Sequence, residues 1–354
     1  MSEVIRIQSA DLRTPQVDEY VEMQNYLRRD VGPIGEQPWV IRVIYANWFY
    51  LAICSALGAL AGWAAIEPWI DDNQINAEGI DLASILLFPV VAASIGLFLG
   101  SAEGLICRNL LRAVKSGFVG LGIGFVGGSI ALFPTGMVFG VCLELVHELW
   151  KNPQAEPMPT GLALLVLMIG RAVAWSIVAI PAGMGQGIAL KERKVILNGV
   201  VGAVLGGLLG GLLFDPIALV LTTADGQATY SRAVGFVAIG CFVGLFVGLV
   251  EGWTKTAWLL MRRGPLAGKQ FILFKDTTVL GSSPKADVYL FKDDAIEPRH
   301  AVITNRGGRF EIEDCQTPDG TYVNGIPVRR NLLQDGDQIV LGKTVLEFSV
   351  SETK

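Results

Sequence analysis

The residues best suited to chemistry are few and far apart. His147 and His300 are the only histidines, and Cys54, Cys107, Cys142, Cys241 and Cys315 the only cysteines. Zinc takes four nitrogen or sulfur ligands at close spacing, which this scatter does not offer. Glu144-x-x-His147 has the form of half a carboxylate-bridged metal site, but the second copy that such a site needs is absent. Gly122-x-Gly124-x-x-Gly127 matches a dinucleotide fingerprint in letters only, because it lies inside an apolar run with no strand before it. No Ser/His/Asp or Cys/His arrangement stands out. The expectation is a protein that is not an enzyme and holds no metal or cofactor.

Five polar residues inside apolar runs form a candidate intramembrane polar site: Glu103, Arg171, Gln186, Asp215 and Glu251. Ionisable groups in lipid are costly and are often functional. Glu103, Gln186 and Glu251 each lie within about two helical turns of a cation (Arg108, Lys191, Lys255), so pairing competes with a gate or ion site there. Arg171 and Asp215 are expected to neutralise one another in the outer half of the membrane.

The elements that must carry these residues are set by composition. Of 354 residues, 51% are apolar and 17% charged, with 42 glycines, and mean hydropathy is +0.47. Disorder and a disulfide scaffold are excluded. A net charge of −5 leaves no basic footprint for nucleic acid. A bilayer core of ~30 Å needs about 20 apolar residues in helix, and six segments qualify: 43–66, 82–106, 116–142, 161–189, 195–222 and 232–254. The opening residues lack the pattern of a cleaved signal; Val17, Tyr20, Val21 and Leu27 suggest a short amphipathic helix. Cations gather in alternate breaks (Arg108, Arg112, Lys115; Lys191, Arg193, Lys194; Lys255, Arg262, Arg263) and in the N-terminal segment. Both termini are therefore expected in the cytoplasm, with the protein in the cell membrane as a multi-pass chain.

Glycines repeat along these segments. Gly96, Gly100 and Gly104 recur as Gly244, Gly248 and Gly252, and as Ala179, Gly183 and Gly187. The odd segments share Gly58-x3-Gly62-x5-Pro68, Gly124-x3-Gly128-x5-Pro134 and Gly206-x3-Gly210-x5-Pro216. The same interval separates Gly62 from Gly100 and Gly210 from Gly248. The reading is an α-helical transmembrane bundle of three tandem αα-hairpin repeats about a pseudo-threefold axis. Its glycine stripes let backbones approach closely.

From Lys269 the pattern turns to period two, with turn signals at Gly281-Ser-Ser-Pro, Arg306-Gly-Gly, Pro318-Asp-Gly, Asn324-Gly and Asp335-Gly-Asp. That is the signature of a β-sandwich. Three parts follow: a cytoplasmic N-terminal segment over 1–42, the six-span domain over 43–260, and an all-β cytoplasmic domain over 265–354. Across about 268–350 the residues resemble the forkhead-associated (FHA) family. The carriers are Gly281-Ser-Ser-Pro-Lys-Ala-Asp287, Ile296-Glu-Pro-Arg-His300, Asp319-Gly320-Thr321-Tyr-Val-Asn324-Gly325 and Leu333-Gln-Asp335-Gly336-Asp337 with Gly342.

The resemblance implies a sandwich whose loops bind phosphothreonine peptides, commonly in serine/threonine-kinase signalling. It places partner contacts at Ser282, Ser283, Glu297, Arg299, Asp319, Thr321 and Asn324, and structural roles at Gly281, His300, Gly320 and Gly325. The family's phosphate-gripping arginine is here Ser282, its serine before the histidine is Glu297, and its Thr-Asn before the glycine is Pro318-Asp319. Two carboxylates at that mouth would repel a phosphate by about 1 kcal/mol each at ~4 Å even with the screening of water. The expectation is a membrane-anchored adaptor that docks a protein partner, phosphorylated or not, at the cytoplasmic face. Membrane lipids surround the helices, and self-assembly through the glycine stripes is a further expectation. The alternative is a transporter or channel with a three-hairpin core regulated by its FHA domain. The core is similar to mitochondrial-type carriers in outline only, because Thr135 and Ile217 follow the prolines where carriers have an acid.

Overall fold

The computed structural model of the protein describes residues 35, 37–70, 82–150, 159–221 and 229–351. The amphipathic segment expected around Val17–Leu27 lies outside them. The chain divides between Lys255 and Thr256 into two compact units.

The first unit is helical: α1 (Trp39–Ile44), α2 (Asn47–Ile66), α3 (Leu82–Ile106), α4 (Leu110–Leu149), α5 (Gly161–Leu190), α6 (Arg193–Leu221) and α7 (Thr229–Thr254). Helices α2 to α7 are each long and apolar enough to cross a membrane. Trp48 and Trp253 at one end, and Trp69 and Tyr230 at the other, expose their rings. Twenty-one helical steps of 1.5 Å put Trp48 and Trp69 about 30 Å apart, the thickness of a hydrocarbon core, where interfacial aromatics gather.

Five of the six spans fall close to their sequence limits; α4 does not. It begins at Leu110, because Arg108 takes a left-handed conformation (φ 52°) and the Asn109 side chain caps the Arg112 N–H at 3.0 Å. At its far end it continues to Leu149, where Val146 packs with Ala163 and Leu167 of α5. That extension carries Glu144, His147 and Glu148, so a count of apolar residues does not reveal it.

Each span packs on the next, and α7 returns to α2, closing a ring of six helices. The glycine stripes lie in these seams. A Cβ added at Gly96 or Gly100 of α3 would strike Gly120 or Ser116 of α4. At Gly183 or Gly187 of α5 it would strike Gly199 or Ile196 of α6, and at Gly244 or Gly248 of α7 it would strike Leu51 or Trp48 of α2. The stripes of the odd spans behave less evenly. Gly58 and Gly62 face α3, and Gly206 and Gly210 face α7, each the following helix. Gly124 and Gly128 face the preceding helix, against Ala92 and Pro89, because the adjacent Gly127 is taken by Pro181 of α5. The shared Gly-x3-Gly-x5-Pro spelling therefore does not give the middle span the contacts of the other two.

Aromatic rings fill the core of the ring. Trp175 stacks on Phe88 at 5.0 Å and meets Phe236 edge-on at 5.2 Å, and Phe236 meets Phe214 at 5.6 Å.

The second unit is a two-sheet sandwich. One sheet has the order β2 (Gln270–Ile272), β1 (Ala257–Arg263), β11 (Thr344–Val350), β10 (Gln338–Leu341), β7 (Thr321–Val323), β8 (Ile326–Val328). The other runs β4 (Val288–Tyr289), β3 (Thr277–Gly281), β5 (Ala301–Arg306), β6 (Arg309–Asp314), β9 (Arg330–Leu332). Leu259, Leu280, Ile303, Ile312, Ile339, Leu346 and Phe348 fill the space between. Strand β1 changes the sequence boundaries. The sequence pattern puts 257–260 in the membrane part and 261–264 in neither, yet Ala257, Leu259 and Met261 alternate inward from a strand lying between β2 and β11. Its Ala-Trp-Leu-Leu-Met run is apolar on both faces, so it reads as a continuation of the last span.

Candidate functional site

The loops after β3, β4 and β6 are joined by one buried imidazole. The Glu297 N–H donates to His300 Nδ1 at 3.2 Å, so the ring proton sits on Nε2. That nitrogen faces the Gly320 carbonyl at 3.1 Å and Thr317 Oγ1 at 3.2 Å. His300 is fully buried, and its own N–H donates to the Leu280 carbonyl at 2.9 Å. Gly281 lies under the same crossing, where a Cβ would strike the Pro298 carbonyl. The Ser282 N–H donates to the Glu297 carbonyl at 2.9 Å and the Ser283 N–H to the Pro298 carbonyl at 3.4 Å, so the first two loops are laced together. Ser283 Oγ accepts from the Lys285 N–H at 3.2 Å.

The third loop hangs on Asp314. Its carboxylate accepts from the Thr317 N–H at 3.0 Å, Thr317 Oγ1 at 2.9 Å and Thr321 Oγ1 at 2.8 Å. Burial alone would raise this carboxyl, but the hydroxyls of Thr321 and Thr317 and the N–H groups of Thr317 and Gln316 outweigh it and hold it below the usual range. Thr321, expected on the partner-binding rim, is instead buried, its hydroxyl spent on Asp314. Sequence reasoning passed over Asp314 and Thr317; their three-residue spacing was the available signal.

Asn324 and Gly325 both have positive φ (51° and 80°) and form the two-residue hairpin between β7 and β8. The Asn324 side chain donates to Asp337 Oδ1 at 2.8 Å and accepts from the Gln338 N–H at 2.9 Å. Although exposed, it is committed to holding a turn. Gly320 also has positive φ (69°), and Asp319 beside it is half-buried. Glu297 and Arg299 are exposed, and among the described residues neither side chain enters an ion pair.

In the helical unit, Glu103 Oε2 accepts from Arg112 at 3.1 Å and from Gln186 at 3.4 Å, which joins α3, α4 and α5. Glu251 is buried and accepts from Asn47 of α2 at 3.2 Å. Arg171 Nε lies 3.0 Å from the buried Asp215, with the guanidinium over the Phe214 and Phe139 rings. Sequence reasoning missed the Arg232–Glu67 pair, with Nε to Oε2 at 3.1 Å. Its signal was a pair of opposite charges at matching ends of the first and last spans, which meet only because the ring closes.

A family model described as the FHA domain matches residues 278–342. The chain is 40% identical over 101 residues to an oxoglutarate dehydrogenase inhibitor of Corynebacterium jeikeium, covering 28% of this chain and 67% of that protein. It is 40% identical over 100 residues to the glycogen accumulation regulator GarA of Mycolicibacterium smegmatis, covering 28% and 63%. A solved FHA domain of an Arabidopsis thaliana hypothetical protein matches with a TM-score of 0.26 at 26% identity, over 28% of this chain and 90% of that one. The chain thus spans about two-thirds of the length of these curated relatives, and most of its own length, the six-span unit included, lies outside the likeness. With its laced loops, its buried histidine, the family-model match and the Corynebacterium relative, the chain belongs to the FHA-domain proteins.

Proposed function

We propose that the protein is a membrane-anchored docking adaptor. Its FHA loops bind an unphosphorylated, basic segment of a protein partner at the cytoplasmic face. The observation that carries this reading is Glu297, an exposed carboxylate without an ion-pair partner among the described residues, on the loop that His300 ties to the Asp319–Gly320 segment. The family resemblance puts the phosphate there. A phosphothreonine brings about −1.5 to −2 charges and calls for guanidinium and hydroxyl donors. Here Ser282 stands for the arginine, and the Thr321 hydroxyl is already spent. The cation-rich breaks support cytoplasmic termini, and the aromatic packing around Trp175 supports a scaffold over a conduit.

The test uses the full chain in lipid nanodiscs, titrated with basic peptides in matched threonine and phosphothreonine forms. The expected result is binding of the unmodified peptide at least as tight as that of its phosphorylated twin. Binding confined to the phosphorylated form overturns the reading. The double change Ser282→Arg, Glu297→Ser is expected to raise phosphopeptide affinity about tenfold, the gain of one charge-assisted hydrogen bond.

A further inference from the structure

Away from these contacts, the sandwich holds a cavity of about 320 Å³ between the β1–β2 loop, the loop after β4 and the β10–β11 turn. Three cations line it: Arg263, Lys292 and Lys343. All three are exposed, and among the described residues no ion pair takes up Lys292 or Lys343. The one acid in the lining is Asp293, which is buried and already engaged. Its Oδ2 accepts from the Lys343 N–H at 2.6 Å and Thr344 Oγ1 at 3.4 Å, and its Oδ1 from the Ala295 N–H at 3.3 Å. The carboxylate lies against Gly342, where a Cβ would come within 2.8 Å of both oxygens. Asp293 therefore pins the Lys292 loop to the Lys343 turn, its acceptors turned to the backbone and to Thr344.

Lys292 itself has φ of 60°. Glycine and asparagine take the left-handed region readily, whereas an unbranched charged side chain does so only when its surroundings over-determine it. The Asp293 bonds fix Lys292 in that conformation, with the residue lining the cavity. The lining carries a surplus of positive charge in a concavity of ligand size.

We propose that this cavity binds a phosphate group on a small polar molecule, gripped by Arg263, Lys292 and Lys343. The same chemistry is offered by a soluble phosphomonoester and by the headgroup of phosphatidic acid. The site shares no residue with the proposed partner contacts, so either reading can fail without the other.

The test titrates the full chain in phosphatidylcholine nanodiscs with inorganic phosphate and glycerol 3-phosphate by calorimetry. It is repeated in nanodiscs doped with phosphatidic acid. Saturable binding of the soluble probes supports the proposal with a soluble ligand. Loss of that binding in the doped discs shows that the headgroup occupies the same site. Lys292→Asn keeps the left-handed backbone and removes the charge; it is expected to weaken binding about tenfold with no loss of thermal stability. Lys343→Gln should weaken it to a similar extent. No saturable binding in either disc, or binding that both variants leave unchanged, overturns the proposal. So does binding shown only by a phosphothreonine peptide.

Discussion

Asp314 shows how one side chain shapes the candidate site without facing a partner. Three hydrogen bonds hold it, so Asp314→Ala is expected to cost the sandwich about 1–3 kcal/mol, measured by thermal unfolding. The pH dependence follows from the depressed carboxyl. In the unfolded chain the group titrates near ~3.9, and in the fold it titrates lower. Its contribution is complete above the unfolded value and is lost as pH falls through the folded one. Asp314→Ala should therefore flatten the acid limb of the melting temperature below about pH 4. An unchanged limb would mean that the carboxylate is not what holds the loop. Turn spelling revealed Gly281, Gly320 and the Asn324-Gly325 turn, and the FHA resemblance pointed to His300. They did not reveal that the Thr321 hydroxyl is spent, because its acceptor lies on the preceding strand and is recognised only once the loop folds back.

At the level of elements, the glycines divide into those with a neighbour's backbone against them and those without. Gly96 packs on Gly120, so Gly96→Val should force α3 and α4 apart and cost about 1–3 kcal/mol or more, as overpacking does. Gly122 and Gly252 meet nothing. Gly122→Ala should be neutral or stabilising by up to ~1 kcal/mol through helix propensity. Tryptophan-monitored unfolding in detergent separates the two, and equal losses would refute the seam assignment. The spans themselves were legible, because length and apolarity decide them. The seams were legible only where one stripe meets one neighbour. In α4 the glycines at 124, 127 and 128 serve two neighbours, and spelling alone cannot apportion them. The α7–α2 contact and its Arg232–Glu67 pair link the two ends of the helical unit, which no local pattern records.

For the whole molecule, the placement of β1 decides what an isolated FHA domain must contain. Leu259 and Met261 are almost wholly buried, and each contributes about 1.5–3 kcal/mol to a unit whose total margin is typically 5–15 kcal/mol. A fragment spanning 256–351 is expected to give dispersed amide resonances. One starting at 265 should not, because it loses those side chains and bares the edges of β2 and β11. A well-dispersed spectrum from the shorter fragment would show β1 to be dispensable.

The pairing of β1 with β11 has a mechanical corollary. Ala257 is opposite Val350, and the Ser351 N–H donates to the Thr256 carbonyl at 2.8 Å. The residue that leaves the last helix and the residue near the chain's end thus lie side by side on antiparallel strands. Tension applied between Lys255 and Ser351 would load the ladder from one end and open its hydrogen bonds one after another, like a zipper. Shear, by contrast, would load them together. A pull transmitted along that line is expected to release the sandwich at low force, which optical-trap extension of the tethered protein would register as an early, gradual yield.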